Sequence, residues 1–305
     1  MQSAIVLGAT GLVGSAVVRH MLDQDVEVLA LGRKNLDSLE LERFFGADVP
    51  YLSIPQGGAH RIEAALQTIE WSPVKDCVFY NFAWSGSNGL TDGSLKMQLR
   101  NATNAANTLK VAKAIGCKRF VNAGTLEETV LGRWIDEKTT APYPSSQGNY
   151  ALAKLTSRDL CVITAYLQKL DYVHTRLSVP LDFSLSGGNY VASVLRKIEA
   201  GEMYEAPRNS AFFDIVSTRD VARAYFLLGS RGARNGDYYI GASRPTTLTQ
   251  YFKYFAEATS GHYESKLNLA SGESAEIFDT AQLRQDTGFL PEDNFEDLLK
   301  YLKSS

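Results

Sequence analysis

Along this chain, short unbroken apolar runs alternate with longer stretches in which apolar residues recur every three or four positions. The first run, Ala4–Leu7, stops at Gly8, and helical spacing takes over at Leu12, Val13, Ala16, Val17 and Val18. The pattern then repeats. Val26–Leu31 predicts a second strand and Val49–Ile54 a third, and a helix near His60–Ile69 leads to the run Asp76–Ala83. A long helix over Gly93–Gly116 precedes a strand at Arg119–Ala123, and a second long helix over Asn149–Leu170 precedes one at Tyr172–Ser178. Unbroken apolar runs are what parallel strands need when helices cover both of their faces. Strands and helices in strict alternation therefore predict an α/β fold around a doubly wound, mainly parallel sheet. Beyond Ser178 the alternation loosens. A helical stretch at Asn189–Gly201, a strand and helix from Asp214, a helix at Thr246–Thr259 and a tail at Leu283–Lys303 predict a small C-terminal lobe.

The turn after the first strand is the first piece of candidate chemistry. Gly8, Gly11 and Gly14 stand three apart in GATGLVG, between a strand and a helix. Glycines there let the backbone approach a pyrophosphate, and the free N–H groups and dipole of the helix favour its charge. Gly8, Thr10, Gly11, Leu12, Val13 and Gly14 are thus the candidate nucleotide loop. The second piece is YALAK, which opens the helix Asn149–Leu170. Tyr150 and Lys154 are four apart, so they share one helical face. A tyrosine titrating near ~10 is a poor acid or base at neutral pH, and a neighbouring ammonium favours its phenolate. Thr125 ends the fifth strand, at the edge where sheets of this type place their sites, and its hydroxyl is suited to hold a substrate oxygen.

The loop GATGLVG, the block RNATNAANTLKVAKAIGCKRFVNAGT and the YALAK helix together resemble the extended short-chain dehydrogenase/reductases. That family includes nucleoside-diphosphate-sugar epimerases, dehydratases and ketoreductases. The resemblance spans about residues 3–230 and is dense as far as Leu177. It implies a Rossmann-type domain over residues 1–178, rejoined by 210–242, with 179–209 and 243–305 forming a substrate-binding lobe. It also implies catalysis by Thr125, Tyr150 and Lys154, with Tyr150 passing a proton to or from a sugar oxygen and Lys154 also binding the nicotinamide ribose. Asn81, Ala83 and Trp84, in the tail NFAW of the fourth strand, become pocket candidates. Asn101 matches the helix asparagine that steadies a kink or a water path beside the active site, although an exposed helix residue would read the same way.

Cofactor and reaction follow from particular residues. At the end of the second strand an acidic residue suits the ribose of NAD, whereas arginine suits the 2′-phosphate of NADP. Arg33 and Lys34 stand there, with no acidic residue before Asp37, so the expected cofactor is NADP(H) in preference to NAD(H). The family's dehydratases carry Thr-Asp-Glu where this chain has Thr125-Leu126-Glu127, and leucine is no general acid. With dehydration disfavoured, the expectation is a reductase of a 4-keto sugar nucleotide. An NAD(P)-dependent epimerase is the alternative, and a non-catalytic dinucleotide sensor is a second one that the presence of both Tyr150 and Lys154 opposes.

Composition narrows the partners. A net charge of −3 over 305 residues gives no reason to expect nucleic acid or an anionic membrane. No stretch approaches the ~20 apolar residues of a membrane span. Cys77, Cys117 and Cys161 sit apart in apolar runs, and Met1 leads straight into a strand, so a cytoplasmic protein is expected. His20, His60, His174 and His262 lack ligand spacing, and no metal is expected. The two long helices carry apolar residues on more than one face, including Leu95, Leu99, Leu109, Val162, Ile163 and Leu167. A second stripe calls for a partner, and the family resemblance implies a homodimer through a four-helix bundle.

Overall fold

The first strand is sealed on both faces, and the sheet grows outward from it. In a computed structural model, which describes residues 1–55, 57–86, 94–138, 140, 142–143, 145–205, 207, 211–261 and 267–304, β1 (Ser3–Leu7) is followed by α1 (Leu12–Asp23) and β2 (Glu27–Gly32). Next come α2 (Ser38–Phe45), β3 (Tyr51–Ser53), α3 (Ile62–Leu66) and β4 (Val78–Asn81). A capping box starts α2: Asp37 accepts from the Glu40 N–H, and the Glu40 side chain accepts from the Asp37 N–H. The two long helices, α4 (Leu95–Ala114) and α6 (Gly148–Gln168), flank β5 (Arg119–Thr125) and α5 (Glu127–Asp136), and β6 (Asp171–Leu177) follows. Gly93 and His262, which enter the sequence reading above, lie outside the described residues.

The remaining elements are β7 (Val179–Leu181), α7 (Tyr190–Glu199), β8 (Phe212–Phe213), β9 (Ile215–Ser217), α8 (Thr218–Arg231) and β10 (Gly236–Ile240). They are followed by β11 (Thr246–Thr247), α9 (Leu248–Thr259), α10 (Ala281–Thr287) and α11 (Phe295–Ser304). The seven-stranded parallel sheet runs β10-β6-β5-β4-β1-β2-β3. Strand order reverses beside β1, where β2 pairs on one side and β4 on the other. Ligands bind sheets of this type in the crevice that opens at such a reversal.

The chain folds as two compact units, Met1–Arg176 with Tyr225–Tyr238, and Leu177–Ala224 with Tyr239–Ser305. In the first, Ile5, Leu29, Phe79 and Phe120 from the strands pack with Leu109 of α4 and Ala165 of α6. In the second, Leu195 of α7, Phe252 and Phe255 of α9, and Phe295 and Leu298 of α11 form a core of their own. The second unit also holds a parallel pair, β7 with β9, and an antiparallel one, β8 with β11.

Most predicted elements are present with their ends shifted. The helix near His60–Ile69 is shorter, a single 3₁₀ turn at Ala59–Arg61 running into α3. The apolar run Asp76–Ala83 forms a strand only over Val78–Asn81. The apolar pattern does not announce α5. Its signal is Thr125-Leu126-Glu127-Glu128, a Thr-x-x-Glu start: the Glu128 side chain reaches back to accept the Thr125 N–H at 2.8 Å.

Candidate active site

Backbone makes one end of the site. Gly8 has φ +85°, and a Cβ there would lie 2.9 Å from the Phe82 carbonyl carbon and the Ala83 nitrogen, so only glycine fits beside the end of β4. Gly8 and Ala9 both donate to the Leu31 carbonyl, which ties the turn to β2. Gly11 is the N-cap of α1, and no side chain caps that helix. Leu12, Val13 and Gly14 form its first turn. A Cβ on Gly14 would overlap the Gly8 carbonyl, so the helix can approach the turn only with glycine there. The turn opens on a cavity of about 270 Å³ lined by Gly8, Thr10 and Gly11, by Arg33 and Lys34, and by Asn81, Ala83, Trp84 and Asn101.

Asn101 has a definite task. Its Nδ2 donates to the Ser85 carbonyl at 2.6 Å and its Oδ1 accepts the Ser85 N–H at 3.1 Å, so it clamps the loop that follows β4. Trp84, on that loop, donates to Gln98 at 2.8 Å and stands edge-on to the Tyr150 ring, with centroids 5.9 Å apart.

Side chains make the other end. Thr125, at the tip of β5, hydrogen-bonds the Tyr150 phenol. Lys154, only 5% exposed, donates to the Ala123 carbonyl at 2.7 Å, and its ammonium lies 4.0 Å from the Trp84 ring centroid. The structure therefore brings Thr125, Tyr150, Lys154 and Trp84 together. The expected lowering of the Tyr150 phenol is not present in this state. Burial pushes it well above its ordinary value, the Thr125 hydrogen bond opposes that, and Glu128 and Glu127 add to it. The Lys154 charge does not offset this; its ammonium lies 5.7 Å from the phenol's ring centroid and is engaged by Ala123 and Trp84. Burial in turn lowers Lys154 to about 8, against the pull of Glu128 and Cys161.

Three further residues near this end went unremarked as site residues in the sequence. Glu128 is buried between the Thr125 N–H and His174, whose Nε2 lies 2.8 Å from its carboxylate. Tyr143 donates to Glu127 at 2.8 Å beside Thr125. Only the Thr-x-x-Glu spacing marks any of them in advance.

Residues 4–241 match the model of the NAD dependent epimerase/dehydratase family. The fold is similar to that of UDP-glucose 4-epimerase from Thermotoga maritima with UDP-glucose (18% identity, TM-score 0.73, covering 99% of each chain). It is equally similar to the Thermus thermophilus UDP-glucose 4-epimerase in complex with NAD (18%, 0.72, 98% of this chain and 96% of that one). The Bifidobacterium longum UDP-glucose 4-epimerase with NAD+ and UDP is a third (16%, 0.71, 97% and 96%). The last two structures carry NAD, and the matched family is named NAD dependent, which contradicts the expectation of NADP(H) in preference to NAD(H) drawn from Arg33 and Lys34. The physical reason lies in the two cations. Both side chains are exposed, and the Lys34 ammonium lies over the Phe44 ring, 5.5 Å from its centroid. Two exposed cations at the rim of a cavity do not by themselves select a 2′-phosphate over a hydroxyl. Among the described residues no helix is long and apolar enough to cross a membrane.

Proposed function

The chain belongs to the NAD dependent epimerase/dehydratase family, and on that premise we propose that it is an NAD-dependent epimerase acting at C4 of a hexose on a nucleoside diphosphate. The observation that carries the reading is the meeting of Thr125, Tyr150 and Lys154 behind Trp84, which itself lines the glycine-walled cavity. The residues fit the dinucleotide. A glycine turn with no room for side chains and an uncapped helix N-terminus suit a pyrophosphate, and Lys154 suits the ribose next to the nicotinamide. When bound, NAD supplies a reversible hydride acceptor.

The chain's own groups move the proton. Tyr150 takes the proton of the sugar C4 hydroxyl at its Oη and returns it to the C4 oxygen once the sugar has presented its other face. Thr125 hydrogen-bonds that oxygen and holds it against Tyr150. Tyr150 acts from its phenolate, so the Lys154 ammonium, held by the Ala123 carbonyl in this state, must turn to the phenol oxygen for the proton to move, and the Asn101 clamp keeps the loop carrying Trp84 over the pair.

The expectation of a dedicated reductase followed from disfavoured dehydration, the Thr125, Tyr150 and Lys154 set and NADP(H), and NADP(H) was what set it apart from the epimerase. An enzyme that oxidises and then reduces the same carbon has no net redox demand and suits a retained NAD, so the epimerase is the better reading. Leu126 still opposes dehydration. The unit formed by Leu177–Ala224 and Tyr239–Ser305 is the proposed sugar-nucleotide lobe. UDP-hexoses are the first substrates to test, since related structures carry UDP-glucose or UDP. With UDP-glucose, UDP-galactose and their N-acetyl analogues, proton NMR should follow interconversion of the C4 epimers without net formation of NADH. Stoichiometric oxidation of a reduced dinucleotide by a 4-keto sugar nucleotide, with no interconversion, would restore the reductase.

A homodimer is part of the proposal. On α6, Val162 (50% exposed), Ile163 (60%), Tyr166 (83%) and Leu167 (68%) form a bare apolar stripe. Light scattering at micromolar concentration should give about twice the 33.5 kDa chain mass, and a single-chain mass would refute it. Three buried free thiols fit the reducing cytoplasm.

A further inference from the structure

Behind Thr125 lies a line of buried polar side chains with no part in the proton transfer described above. The Tyr172 hydroxyl meets His174 Nδ1 at 3.0 Å, His174 Nε2 donates to Glu128 at 2.8 Å, and the other Glu128 oxygen accepts the Thr125 N–H at 2.8 Å. None of the three side chains is more than 2% exposed. β5 is shaped to receive them: a Cβ on Gly124 would overlap the Glu128 carboxylate and the His174 ring together. The line reaches the nucleotide cavity as well, since Tyr172 hydrogen-bonds Asn122, which accepts from cavity-lining Asn81 at 2.8 Å.

A carboxylate sealed this deeply is costly unless its charge is matched. Burial pushes Glu128 up, but the charge and hydrogen bond of His174, the Thr125 N–H and the charge of Lys154 outweigh it and hold the carboxyl below its usual range. The groups facing Glu128 are His174 and Tyr172 from β6, Lys154, Tyr150 and Arg158 from α6, and Tyr225 from α8. Lys154 itself faces Glu128 and Cys161, with Trp84 and Tyr150 as its aromatic walls.

We infer that Glu128, locked in place by His174 and Tyr172, is a positioning residue for the proton transfer. It supplies the counter-charge to the buried Lys154 ammonium and, through the Thr125 N–H, sets that threonine against Tyr150. The inference takes the roles of Thr125, Tyr150 and Lys154 from the reading above.

Two substitutions separate its parts. Glu128→Gln keeps the shape, since the amide oxygen can accept from Thr125 and the amide nitrogen can face the His174 ring, but it deletes the charge. Glu128→Asp keeps the charge but falls short of Thr125. In protein carrying ¹³C at lysine Cε, with the Lys154 resonance assigned by its loss in Lys154→Met, the midpoint should lie near 8 in the parent. It should drop by roughly 0.5–1 pH unit in Glu128→Gln and stay near the parent value in Glu128→Asp. An unmoved midpoint in folded Glu128→Gln overturns the inference. If that variant does not fold, Glu128→Met, which deletes the same charge without burying an amide, should lower the midpoint in the same direction, and an unmoved midpoint there overturns it equally.

The kinetic arm uses UDP-glucose with NAD. The alkaline limb of kcat should move with the NMR midpoint in Glu128→Gln, whereas Glu128→Asp should lower kcat about tenfold without moving the limb and with KM nearly constant. If the C4 reading is wrong, no sugar nucleotide turns over while the midpoint still shifts. If this inference is wrong, the enzyme turns over and the midpoint does not move.

Discussion

The two ends of the site are built from different materials. At the nucleotide end the chain offers backbone: a left-handed glycine, an uncapped helix start and a cavity wall with no room for a Cβ at Gly8. At the proposed proton-transfer end it offers side chains whose protonation each depends on the others. Tyr150 is held up by burial, Lys154 is brought down to about 8, and Glu128 stays ionised between His174 and Thr125. Backbone recognition needs only room and direction, so steric substitutions should break it. Side-chain chemistry needs tuned charge, so nearly isosteric substitutions that leave the fold intact should break that.

Tyr150→Phe should give the largest effect. It removes one hydroxyl and keeps the ring against Trp84, so kcat should fall by about 10²–10⁴ while NAD affinity changes by less than about twofold. Wild-type turnover in that variant would move the acid–base role elsewhere. The charge at the same end has a signature in stability. Lys154 is lowered from the ordinary lysine value of 10.5 to about 8, so between these values the unfolded chain binds more protons than the folded one. Stability should therefore rise with pH across that window, by about 3 kcal/mol at most. Denaturant melts compared with those of Lys154→Met, which lacks the effect, will read it.

The nucleotide end is tested by Gly8→Ala. The methyl forces a left-handed residue against the Phe82–Ala83 backbone, a strain of about 1–3 kcal/mol. NAD should bind roughly ten- to hundredfold more weakly, as read by calorimetry. Arg33→Asp should do least. An exposed cation that clamps no phosphate is worth little, so NAD affinity should change by less than about fivefold. A larger loss would make Arg33 a true cofactor ligand.

The same division explains what could be read without the fold. Gly8, Gly11 and Gly14 are legible because a tight turn between strand and helix is a local requirement, met by residues within a dozen positions. Tyr150 and Lys154 are legible because helical pitch puts them on one face. The NADP preference drawn from Arg33 failed because the exposure of a loop side chain depends on what packs around it, and Phe44 takes up its neighbour Lys34. Asn101 could not be decided from its helix, since the loop it clamps lies 16 residues away.

The amino-acid sequence alone thus determined the alternation of strands and helices, the glycine turn and the tyrosine–lysine pair, since each follows from spacing along one element. Only the tertiary structure decided which charges face one another. Glu128 and His174 are 46 residues apart and Asn81 and Asn122 are 41 apart, and they meet because strand order places β4, β5 and β6 side by side with α5 at their ends. Strand order is settled by the packing of whole elements. A buried carboxylate finds its partner through that packing, and no periodicity along the chain records it.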